Sequence, residues 1–66
     1  MQLEKYLLLK RMTPIDLAYM LKVSLSTVYR YLNGDKPKIR IARIIEEKTE
    51  KMVTVEDLMG NNYESQ

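Results

Sequence analysis

Residues 13–34 read TPIDLAYMLKVSLSTVYRYLNG, two short apolar-periodic stretches that meet at Lys22-Val23-Ser24. Leu17, Ala18 and Leu21 recur at helical spacing on one side of the first stretch, and Val28 and Tyr31 on one side of the second. Val23 fills the hinge between them. Two short helices that cross steeply touch at only a few inward positions, so the spacing predicts a helix-turn-helix over about residues 13–33. Ala18, the smallest of the inward set, is expected where the helices come closest. The outward side of the second helix then carries Leu25, Ser26, Tyr29, Arg30 and Asn33, a mixture suited to the edges of DNA bases.

The boundaries follow from local chemistry. Thr13 caps free backbone N–H groups, Pro14 suits the first helical position, and Asp16 completes a capping-box pattern. Ser24 is the natural cap of the next helix. Asn33-Gly34 ends it, because glycine enters the left-handed region without a side-chain clash. Upstream, Leu3, Leu7 and Met12 predict a first helix over residues 2–11, with the Leu7-Leu8-Leu9 run belonging to its buried side. Downstream, Asp35-Lys36-Pro37 is a turn, and Ile41, Ile44, Ile45 and Lys48 predict a fourth helix over about 39–50. Thr54-Val55-Glu56-Asp57 opens a fifth, which Gly60 stops. The β-branched run Met52 to Val55 also suits an edge strand, but Thr54 with Asp57 is a cap that a strand would not need. The expectation is a single all-α, five-helix domain over 1–59 with a mobile polar tail at 60–66.

Composition bounds the chemistry. Sixty-six residues allow one domain with a small core. With no cysteine there is no disulfide, thiol nucleophile or Cys-based zinc finger, and with no histidine the commonest metal ligand and general base is missing. No metal, cofactor or enzymatic activity is expected. No apolar run approaches the roughly 20 residues of a membrane span, and the N-terminus has no signal-peptide cleavage pattern, so the expected location is the cytoplasm. The net charge of +2 hides an asymmetry: residues 1–45 carry +6 and residues 46–66 carry −4. A basic nucleic-acid face and an acidic end held away from it would divide the chain in this way.

The segment 13–34 resembles the helix-turn-helix of the lambda repressor and Cro superfamily. Thr13 matches its helix-opening Thr, Leu17-Ala18 its Leu-Ala pair and Val23-Ser24 its turn. Ser26-Thr27-Val28 and Arg30 match its recognition helix, and Asn33-Gly34 its closing pair. The direct match covers 22 of 66 residues, with the flanking helices extending it to about residue 59. Two positions depart from the pattern: Pro14 stands where many members have Gln, and Lys22 where many have Gly. The resemblance implies a five-helix domain that binds double-stranded operator DNA as a homodimer. It also implies a Cro-like repressor from a phage or other mobile element that excludes polymerase or a rival repressor by occupying its site.

On that reading each candidate residue has a role beside a plainer alternative. Arg30 suits bidentate contact with guanine, or else a phosphate contact or a surface ion pair. Ser26 lies near the helix start, where side chains reach base edges, although it also suits ordinary helix opening. Tyr29 stacks along the groove wall or stays a half-packed surface aromatic, and Leu25 meets a thymine methyl or folds back on its helix. Ser24, Thr27 and Asn33 serve the phosphates, as do Lys36, Lys38 and Arg40 just beyond. Met52, Val53, Val55, Leu58 and Met59 form the expected dimerisation face, with core packing as the alternative for some of them. In the alternative reading, the antitoxin half of a toxin–antitoxin pair, the same face would grip a toxin protein.

Overall fold

A computed structural model describes residues 1–60, and the polar tail expected beyond Gly60 lies outside the described residues. The chain forms α1 (Leu3–Lys10), α2 (Pro14–Leu21), α3 (Leu25–Leu32), α4 (Ile39–Lys48) and α5 (Val55–Met59), with no strand among the described residues. An all-α, five-helix arrangement is therefore observed. Of the residues 52–55 that also suited a strand, 52–54 instead form a bend leading into α5 and Val55 is the first residue of that helix.

Each helix starts and stops for reasons visible in its own residues. Thr13 accepts from the Asp16 amide at 3.2 Å while the Asp16 carboxylate accepts from the Thr13 amide at 2.9 Å. Thr54 and Asp57 repeat the device at 3.1 and 3.0 Å. Ser24 accepts from the Thr27 amide at 3.2 Å. Each such cap stabilises its helix by about 1 kcal/mol. The first four helices end in the same closure, in which the amide two residues past the last turn bonds five residues back. These bonds run from Met12 to the Leu7 carbonyl, Val23 to Ala18, Asp35 to Arg30 and Lys51 to Glu46. The closure needs one left-handed residue. Gly34 supplies it once (φ 107°), but Arg11 (φ 56°), Lys22 (φ 58°) and Glu50 (φ 55°) supply it elsewhere.

The core takes one stripe from each helix. Leu3, Tyr6 and Leu7 of α1 meet Leu17 and Leu21 of α2, Val28 of α3, Ile45 of α4 and Val53 of the following turn. Ala42 of α4, with Val55 and Met59 of α5, forms a smaller adjoining cluster, where the methyl of Ala42 lets the short last helix approach. Thr49 is the polar member of this interior. Its hydroxyl donates to the Ile45 carbonyl at 2.8 Å and accepts from the Val53 amide at 3.1 Å, fastening the turn between α4 and α5 from within. Glu46 adds a second fastening by accepting the Val55 amide at 3.0 Å. The Met1 ammonium donates to the Met52 carbonyl at 2.8 Å and to the Asp57 carboxylate at 2.6 Å. Partial burial pushes the Asp57 carboxyl up, but hydrogen bonds from the Met1 ammonium and from Thr54 outweigh it and hold the group below its usual range.

Two packing expectations change. Leu7 is buried, but Leu8 and Leu9 are exposed, because successive helical residues turn about 100° and only Leu3, Tyr6 and Leu7 face inward. Ala18 is half-buried and packs against this core, next to fully buried Leu17. Of the apolar face expected in the C-terminal region, Val53, Val55 and Met59 are buried within the protomer. A core this small draws on every apolar residue its last helix offers. Of the five residues expected on a dimerisation or toxin-binding face, only Met52 and Leu58 stay half-exposed.

Candidate nucleic-acid interface

α3 is eight residues long and strongly two-sided. Val28 is fully buried, with Tyr31 and Leu32 half-buried beside it. That packing turns Leu25, Ser26, Tyr29, Arg30 and Asn33 outward, and all five are exposed. Leu25 and Tyr29 form one column at i, i+4, and Ser26 and Arg30 form the next, so the four expected base-reading residues share one continuous surface. At the foot of the helix the Ser24 and Thr27 hydroxyls lie 2.9 Å apart. Both therefore serve the cap, and one hydroxyl proton of the pair is left for an outside acceptor.

Arg30 has a partner that sequence reading did not supply. Its Nε donates to Asp35 Oδ2 at 3.0 Å, with the two side chains 71% and 56% exposed. The surface ion pair weighed as an alternative for Arg30 is thus present. Gly34 is what makes it: the left-handed residue folds the chain back so that the Asp35 amide bonds the Arg30 carbonyl at 3.0 Å, bringing the two side chains together. The only sequence signal was the Asn33-Gly34-Asp35 turn itself.

The second basic cluster divides. Lys36 directs its ammonium to the end of α5, where it lies 3.7 Å from the position a Cβ on Gly60 would take. A cation at a helix C-terminus is favourably placed. Lys38 and Arg40 are exposed at the opening of α4, with Pro37 buried behind them. Lys38 occupies the cap position of α4 without a side-chain cap bond, so the first-turn amides there face outward without a side-chain acceptor. Arg43, which was not among the expected contacts, is exposed one turn beyond Arg40. Lys38 and Arg40 oppose the α4 dipole, which favours acids at the start of a helix; its acids, Glu46 and Glu47, stand near its end.

A further surface emerges on α2. Ile15, Ala18, Tyr19, Lys22, Val23 and Leu25 line an open groove of about 390 Å³. Tyr19 (81% exposed) and Ile15 (54%) stand clear of the core. Among the described residues no cluster of acidic side chains has the makings of a metal site, and no helix is long and apolar enough to cross a membrane. No family model, curated protein or solved structure matches this chain.

Proposed function

We propose that this chain is a sequence-reading DNA-binding regulator of the lambda repressor and Cro type. The observation that carries the reading is the outward face of α3, where Leu25, Ser26, Tyr29 and Arg30 project together from a helix anchored by buried Val28. An α-helix with polar and basic outward side chains fits the major groove of B-DNA, and each bidentate side chain–base pair discriminates by about 1–3 kcal/mol. Lys38, Arg40 and the open amides of α4 supply the phosphate grip next to it. That Lys38 and Arg40 sit at the start of α4, where its dipole disfavours them, supports an external role for these charges.

On this reading α3 acts as the recognition helix and α2 braces it, and binding occludes the operator. One short helix covers few base pairs, so specificity calls for two copies about 34 Å apart on one face of an inverted repeat. With Val53, Val55 and Met59 inside the protomer, the free chain is a monomer or weak dimer, and DNA does most of the pairing.

Selection from random duplex DNA followed by titration tests this. The chain should enrich an inverted repeat. Arg30→Ala should lose about 1–3 kcal/mol on it and relax one position per half-site. Lys38→Ala and Arg40→Ala should keep the preference and each lower the salt slope by about 0.9. Enrichment of no sequence, together with salt-independent binding, refutes the proposal.

A further inference from the structure

We infer that Asp35 is the positioning residue for Arg30: it grips the guanidinium from the side and aims its terminal fork at guanine. The inference rests on the DNA reading above and names which of its contacts is preorganised. A guanidinium has one N–H on Nε and four on its two terminal nitrogens. Asp35 takes only Nε, at 3.0 Å, and among the described residues neither terminal nitrogen has a protein partner. The outer edge with its two parallel N–H groups is the edge that matches O6 and N7 of guanine.

Asp35 is itself held in place. The Asp35 amide bonds the Arg30 carbonyl at 3.0 Å and the Gly34 amide bonds the Tyr31 carbonyl at 3.2 Å, so the main chain that carries the carboxylate is fixed beside the residue it orients. A long arginine side chain otherwise explores many rotamers, and ordering it is a cost of binding. The carboxylate also places a negative charge next to the phosphates, which weakens attachment to DNA that offers Arg30 no guanine. Asp35 therefore trades general affinity for discrimination.

The test uses the site that the parent chain selects and the same site with the guanine read by Arg30 changed to adenine. Asp35→Ala should lower the guanine-to-adenine affinity ratio by about tenfold and leave binding to unselected DNA unchanged or stronger. Asp35→Asn, which keeps an uncharged acceptor, should fall between the two. In an Arg30→Ala background the Asp35 substitutions should leave the ratio unaltered. In the free protein, Asp35→Ala should shift the Arg30 Nε–H resonance and speed its exchange with water. A selective parent whose ratio survives Asp35→Ala, or equal losses on all sequences, overturns the role of Asp35 while the DNA reading stands. A parent that selects no sequence overturns both.

Discussion

Replacing Lys22 with glycine should make this protein more stable. Lys22 ends α2 at φ 58°, ψ 43°, where a side chain crowds its own backbone. The conformation costs a non-glycine residue about 1–2 kcal/mol. Against that relief stands the greater freedom glycine gives the unfolded chain, about 0.4–1 kcal/mol. The net gain is about 0.5–1 kcal/mol, or about 3–6 °C in Tm for a domain of this size. The closing bonds, Lys22 amide to Tyr19 carbonyl at 3.3 Å and Val23 amide to Ala18 carbonyl at 3.1 Å, belong to the backbone and survive the change. Lys22→Ala is the control, since alanine keeps the left-handed cost while removing the charge and stem. Urea and thermal unfolding followed by far-UV circular dichroism should rank glycine above the parent, with alanine no better than the parent and the m-value unchanged. Equal stability of the glycine and alanine variants would refute the backbone argument.

Substitutions at two further positions probe the fastenings around α5. Thr49→Val keeps the shape but leaves the buried Val53 amide without its acceptor, so urea unfolding should report a loss of about 1–3 kcal/mol, and Thr49→Ser a smaller one. Because the Asp57 carboxyl titrates below its unfolded value, its contribution is complete above about pH 4 and disappears as the pH falls through the lower folded value. The stability gap between the parent and Asp57→Asn, measured by denaturation from neutral to acidic pH, should therefore close on the acid side; a gap that widens there contradicts the direction of the shift.

Helix positions were legible in the sequence because their signals are local. Thr13 with Asp16, Ser24, Gly34, and Thr54 with Asp57 announce their ends through bonds spanning only a few residues. The outward face of α3 was legible for a related reason: once Val28 is inside, the helical period places Leu25, Ser26, Tyr29 and Arg30 outside. What depends on how the helices assemble was not legible. Leu8 and Leu9 read as core because nothing in the run marks which leucine faces in. Val53, Val55 and Met59 read as surplus because the demand of the other four helices for apolar cover is set by their packing. The Arg30–Asp35 pair spans five residues, a spacing no straight helix brings together, and exists only because Gly34 turns the chain back on itself.

The repeated end closures bear on how quickly the molecule forms. Each of the first four helices seals its own last turn with bonds that reach back no more than five residues, so these fragments close without waiting for a distant partner. Loop closure between consecutive helices is correspondingly short: three residues separate α1 from α2, and three separate α2 from α3. Chains dominated by such near-neighbour contacts have low contact order and fold in microseconds to milliseconds. The slowest step should then be the docking of α5 and its preceding turn, where Val53 meets the α1–α4 core and the Met1 ammonium at one end of the chain finds Asp57 near the other.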